Sequence, residues 1–261
     1  MTSPVEYGPK VLVEKNGMVT TVIINRPHCR NAIDPETAAL LRQAFIAFEA
    51  DDDSSVAVMC GNGATFCGGY DLKSLSGGID YEPEGVGPIG PSRMLLAKPV
   101  IAAVEGYAVA GGLELALWCD LRVASDTACF GVFCRRWGVP LIDGGTIRLP
   151  RLIGMSHALD MILTGRAVLA PEALAFGLAN RVVAEGTARA AAEELAMQIA
   201  RFPQVCLKAD RMSAYRQWGM SIEDALKFEG REGERPLRQE AQRGAARFAS
   251  GLGRGGDFSS I

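Results

Sequence analysis

A glutamate inside an apolar run is the first residue here that could do chemistry. In AVAGGLELALWCD (residues 108–120), Glu114 is the single carboxylate of residues 113–118, three positions after Gly111. Burying an unpaired carboxylate costs several kcal/mol, so its presence needs a reason. Gly111-Gly112 falls between a β-rich segment (99–104) and an apolar helical stretch (113–118). The free N–H groups of a helix start would therefore point out of the turn and stabilise an anion. A thioester or carbonyl oxygen that becomes an enolate is one such anion, and one oxyanion donor is worth about 3 kcal/mol. Glu114 would lie in the same turn, where low polarity raises its pKa toward that of a proton carrier near neutral pH. The structural alternative is a first-turn acid that interacts with the helix dipole or pairs with an arginine.

A second segment, GATFCGGYDLKSL (63–75), has the same character: a glycine-rich turn after a β-rich run, with Tyr70 and Asp71 leading into a helix. Two such turns can converge on one oxyanion. Other chemistries lack material. His28 and His157 are the only two histidines, which speaks against a His-based triad or metal site, and His157 in GMSHALDMILTG reads as a helix-face residue. Neither a Walker loop nor a GxGxxG opening a helix occurs, and no metal site is expected.

Such turns need a scaffold, and 261 residues suffice for one large domain or a domain with an appendage. Residues 20–25, 55–60, 99–104, 121–124 and 181–183 read as strands alternating with helical patterns, the signature of an α/β protein. Asp34-Pro35-Glu36 starts a helix that runs to about Glu49, with Leu41, Ala44, Phe45 and Phe48 on its apolar face. Residues 73–91, rich in Gly and Pro, form a long loop that is either a mobile element near a ligand or a disordered surface insertion. Helix dominates from Thr187 onward. A boundary at Pro203 divides a core, 1–202, from a helical region, 203–261.

With 27 basic and 30 acidic residues the net charge of −3 offers no field for nucleic acid or an anionic membrane. No apolar window reaches the roughly 18 residues of a membrane span, and the N-terminus has no leader, so a soluble, cytoplasmic protein is expected. The seven cysteines are odd in number and form no CxxC pair; they read as reduced core residues.

NRPHCRNAI (25–33), FCGGYDLK (66–73), KPVIAAVEGYAVAGGLELALWCDLRVAS (98–125) and LTGRAVLAPEALAFGLANRVV (163–183) resemble ordered blocks of the crotonase, or enoyl-CoA hydratase/isomerase, superfamily. The likeness extends over roughly residues 10 to 255. It implies a crotonase-like α/β spiral of ββα repeats with a helical C-terminal trimerisation region, assembled as a homotrimer or as a hexamer (a dimer of trimers). It also implies an acyl-CoA thioester as ligand, with coenzyme A entering only as part of the substrate. By the same resemblance the N–H groups of Tyr70 and Gly111 form an oxyanion hole, and His28, Gly68, Asp71 and Leu72 stand where the family handles the CoA moiety. Glu114 matches the first of the two hydratase glutamates.

The second glutamate is missing. Counting through ACFGVFCRRWGVPLIDGGTIRLPRLIG (128–154) without a gap puts Cys134 in its place. A thiol, with a reference pKa of about 8.5, could be lowered by Arg135 and Arg136 and move a proton or attack an acyl group; otherwise it lines an apolar pocket. Asp143 either replaces the missing acid from a new direction or caps the helix beginning near Gly144. The leading expectation is an enoyl-CoA hydratase-like lyase. The alternatives are a double-bond isomerase, another crotonase-type acyl-CoA lyase, or a non-catalytic acyl-CoA-binding protein. Arg254 either reaches a neighbouring subunit's CoA phosphates or belongs to a tail.

Overall fold

The computed structural model describes residues 8–78, 81–256 and 258, except the side chains of residues 76, 77 and 254. The expectation for Arg254 therefore falls outside the described residues. Two compact units divide between Ala196 and Met197.

The first unit is built on β1 (Val11–Asn16), β2 (Val19–Ile24), α1 (Pro35–Ala50), β3 (Val56–Gly61), β4 (Val100–Val104), β5 (Tyr107–Val109) and α2 (Gly111–Trp118). It continues through β6 (Leu121–Ser125), β7 (Cys129–Gly131), α3 (Gly145–Thr164), β8 (Ala167–Leu169), α4 (Ala170–Ala175), β9 (Arg181–Val183) and most of α5 (Ala188–Ala200). One sheet has the order β1-β2-β3-β4-β6-β9, and from β2 onward every pairing is parallel. Parallel strands covered on both faces read as continuous apolar runs rather than alternations; β2 is buried at all six positions. A smaller sheet, β5-β7-β8, is extended by isolated parallel bridges between Cys67 and Ala108 and between Ile33 and Tyr70. From β2 onward the chain thus passes from the large sheet to the smaller layer and back, which is how a spiral of ββα turns is made.

Helix α1 starts as its sequence dictates, with Pro35 in its first turn and Asp34 Oδ1 accepting from Thr37 N at 2.8 Å. Its Leu41, Phe45 and Phe48 enter the core, and Phe45 meets Trp118 edge to face with centroids 4.8 Å apart. Trp118 Nε1 donates to Met94 O at 2.8 Å, which anchors α2 over the chain entering β4.

The second unit contains α6 (Gln204–Arg216), α7 (Ile222–Pro236), one π turn (Leu237–Ala241) and α8 (Gln242–Ala249). Ser221 caps α7 through Asp224 N, and the Glu240 carboxylate accepts from Val205 N and Cys206 N at the start of α6. All seven cysteines are unpaired, but Cys206 is exposed and Cys29 half-buried. The reading of all of them as core residues is corrected there. No helix of the described residues is long and apolar enough to cross a membrane.

Candidate functional site

Two glycine-rich turns meet where the smaller sheet gives way to α2. Cys67 N donates to Tyr107 O at 2.9 Å and Val109 N to Cys67 O at 3.2 Å, so the segments around Cys67 and Ala108 are zipped side by side. Glycine is required because the contact is so close. A Cβ on Gly112 would lie 2.1 Å from Cys67 O, and one on Gly69 would lie 3.0 Å from Gly111 N. Ala110, the N-cap of α2, takes φ 54 and ψ −124, a region unfavourable for a residue with a Cβ. Tyr70 N lies 3.4 Å from where a Gly111 Cβ would stand. The Tyr70 and Gly111 backbones therefore lie side by side, and neither N–H donates to a protein acceptor among the described residues.

Glu114 follows in the first turn of α2 and is 2% exposed. Its Oε1 accepts from Asp143 N and from Gly145 N, both at 2.9 Å. No arginine among the described residues forms an ion pair with it; the chain entering α3 holds it. Gly145 is needed there, since a Cβ would lie 2.9 Å from Oε1. Burial, helped by the Asp143 charge, raises the Glu114 carboxyl to about 7 against the pull of those two N–H bonds and of Arg148. The folded protein thus holds this proton more tightly than the unfolded chain, and stability is lost as pH rises from about 4.5 through about 7. Glu114→Gln removes that loss. The variant is expected to melt above the wild type at pH 8.5, by at most about 3 kcal/mol, and level with it at pH 4.5; denaturation at both pH values checks this.

Asp143, 3% exposed, places Oδ1 against Ser92 Oγ and, at 3.4 Å, Ile89 N, both donating to it. It does not cap α3, whose N-cap is Gly144 at φ 97 with no side-chain bond. Burial raises its pKa, opposed by Ser92, Ile89 N, Arg93 and Arg148. Glu114 Oε2 and Asp143 Oδ2 accept no hydrogen bond from the described residues. Each carboxylate is anchored through one oxygen and keeps the other.

Cys134, in a 3-10 turn (Phe133–Trp137), is buried, and its thiol is raised by that burial and by the Glu114 charge. Of the two arginines that could lower the thiol, Arg135 alone acts on it. Arg135, the one that lowers the thiol pKa, is overcome; it donates to Ile162 O, and Arg136 lies over the Phe133 ring.

The described part of the glycine-rich loop is organised by Arg93, which donates to Pro83 O, Gly85 O, Tyr81 Oη and Ile142 O at 2.8–3.1 Å. Residues 81–91 are a folded element leading to the acid pair through Ile89 and Ser92, not a disordered insertion. Ser92 and Arg148 of this neighbourhood have no signature in the sequence, because the contacts of Ser92 with Asp143 and with Arg148 join residues far apart in the chain.

His28 and Leu72 are exposed, on separate 3-10 turns (Pro27–Cys29 and Leu72–Gly77). Gly68 N donates to Arg30 O at 2.9 Å, and Arg26 pairs with Asp71 at 3.2 Å, so the two segments share one corner. The Asp71 carboxylate is occupied there: besides Arg26 it caps the second turn through Lys73 N. Asn31, at φ 54, locks this corner by accepting from Arg26 N and donating to Asn62 O and Thr65 O. Among the described residues no group of three His, Cys, Asp or Glu is placed to hold a metal ion.

The family model described as enoyl-CoA hydratase/isomerase matches residues 14–251. The chain is 36% identical over 253 residues to enoyl-CoA hydratase EchA19 of Mycobacterium tuberculosis, covering 94% of this chain and 95% of the relative. It is 35% identical over 220 residues to carnitinyl-CoA dehydratase of Salmonella arizonae, covering 82% and 83%. The crystal structure of an enoyl-CoA hydratase from Mycobacterium tuberculosis H37Rv superposes with a TM-score of 0.88 at 34% identity, covering 93% of this chain and 96% of that one.

Proposed function

Because the chain belongs to the enoyl-CoA hydratase/isomerase family, we propose that it is a hydratase-type lyase that adds water to, or removes it from, acyl-CoA thioesters. The observation that carries this reading is that, among the described residues, the neighbouring Tyr70 and Gly111 N–H groups have no acceptor and two buried carboxyls, Glu114 and Asp143, each keep one oxygen free. The N–H pair receives the thioester oxygen and stabilises the enolate. Glu114, with a pKa of about 7, takes the proton of a water as its oxygen bonds to the β-carbon. The two carboxyls are coupled, since the Asp143 charge acts on Glu114, and as a pair they hold one proton; in the reactive form that proton is on Asp143, which delivers it to the α-carbon in place of the second glutamate of the hydratases. Cys134 lines the acyl pocket, since a thiol with a raised pKa beside a carboxylate is a poor proton carrier. Relatives named enoyl-CoA hydratase and carnitinyl-CoA dehydratase support chemistry of water at an acyl-CoA. The reading includes CoA handling at His28, Gly68, Asp71 and Leu72, no cofactor beyond the substrate's CoA, trimeric or hexameric assembly, and a cytoplasmic setting.

Loss of the enoyl thioester absorbance with crotonyl-CoA tests it. Wild-type turnover is expected, with Asp143→Asn slower by about 10²-fold and Cys134→Ala within a few-fold of wild type. Absence of wild-type turnover would overturn short-chain hydration. A Cys134→Ala loss equal to that of Asp143→Asn would return the proton to the thiol.

A further inference from the structure

We propose that Ser92 is a positioning residue for the reaction: its hydroxyl occupies Oδ1 of Asp143 and so assigns the transferable proton to Oδ2. The inference rests on the acid role given to Asp143 above. Ser92 is fully buried on a 3-10 turn (Pro91–Arg93), and its Oγ donates to Asp143 Oδ1, which also receives Ile89 N. An oxygen that already accepts an O–H and an N–H is a poor place for the carboxyl's own proton, whereas Oδ2 accepts nothing from the described residues.

The surroundings maintain this contact from three sides. Arg148 Nη1 donates to Asp143 O at 3.0 Å and Nη2 to Ser92 O at 2.7 Å, so one guanidinium staples the backbones of both partners. Gly87 closes the third side. A Cβ there would lie 2.0 Å from Ser92 Oγ and 2.4 Å from Asp143 Oδ1, so any other residue would displace the bond. The charged groups acting on the pair are the Arg93 and Arg148 guanidiniums and the Glu114 carboxyl, with the Cys134 thiol beyond Glu114. Beside the backbone N–H of Ile89, Ser92 supplies the neutral side-chain donor to Oδ1, so its removal changes proton placement without removing a charge.

The test measures crotonyl-CoA turnover against pH for Ser92→Ala, the near-isosteric weak donor Ser92→Cys, Asp143→Asn and the Ser92→Ala/Asp143→Asn double variant, with a melting curve for each. Loss of a donor to the carboxylate raises the pKa of the acid. Both Ser92 variants are therefore expected to move the basic limb of the kcat profile up by about one pH unit, to lower kcat about tenfold, and to leave KM within twofold. The double variant should be no slower than Asp143→Asn alone, because without the acid Ser92 has nothing to position. An unmoved limb in a folded Ser92→Cys protein, or losses that multiply in the double variant, would overturn the proposal while the acid role stands. Wild-type turnover in Asp143→Asn would overturn the acid role itself, and with it this one.

Discussion

Glu114→Gln is expected to lower kcat for crotonyl-CoA about 10³- to 10⁴-fold while KM and acyl-CoA binding stay within a few-fold. The substitution is informative because little else should change. Glutamine Oε1 can accept the same two bonds from Asp143 N and Gly145 N, so the chain entering α3 keeps its anchor. The Tyr70 and Gly111 N–H groups come from a different set of contacts, the zipped segments around Cys67, and have no reason to move. What disappears is a group able to take a proton near pH 7, at the oxygen that accepts nothing from the described residues. The limb that the Glu114 carboxyl sets near pH 7 in the wild-type profile should be missing from the residual rate of the variant. A loss confined to KM would mean that Glu114 is a structural acid organising two helix starts. The same burial that tunes the carboxyl destabilises its ionised form, so the gain in melting expected above pH 7 and the loss of turnover are two measurements of one property.

The features legible in the sequence are those in which a residue breaks a local rule. Glu114 stood out because a carboxylate does not belong in an apolar helix, and the start of α1 stood out because Asp34 and Pro35 occupy the positions that their chemistry favours. The long parallel strands were legible as apolar runs. Strands β5, β7 and β8 are not legible in this way: they exist because the spiral lays them beside one another. Strand β1 was missed for another reason, four of its six positions being exposed at the sheet edge. The two glycine-rich turns are legible as a place for an anion, whereas the choice of the Tyr70 and Gly111 N–H groups comes from the family resemblance, because backbone atoms leave no side-chain signature. Ser92 lies 51 residues from Asp143, and the Arg148 bond to Ser92 O spans 56, so no local pattern could have announced them. The Asp143 side chain could have been a helix cap by its position; Gly144, in the left-handed region, takes that place and turns the carboxylate back toward Ser92.

Gly112→Ala is expected to slow turnover by about 10²- to 10³-fold and to cost about 1–3 kcal/mol of stability, although residue 112 contributes no side chain to the reaction. The added Cβ would lie 2.1 Å from Cys67 O, 2.7 Å from Cys67 C and 2.9 Å from Cys67 Cβ. These atoms cannot swing aside as the end of a flexible side chain can: Cys67 is fully buried and bonded through its backbone to Tyr107 and Val109. Relief must come from separating the two zipped segments. Tyr70 is three residues beyond Cys67 and Gly111 adjoins the substituted position, so separation changes the spacing of the two N–H groups that would share one oxygen. Gly219→Ala is the control, because a Cβ there meets nothing within 4 Å. The comparison uses kcat with crotonyl-CoA beside chemical denaturation of both variants. A Gly112→Ala protein that loses stability yet keeps wild-type kcat would show that the spacing of the two N–H groups is not what the glycine protects, and the oxyanion role of Tyr70 and Gly111 would fall.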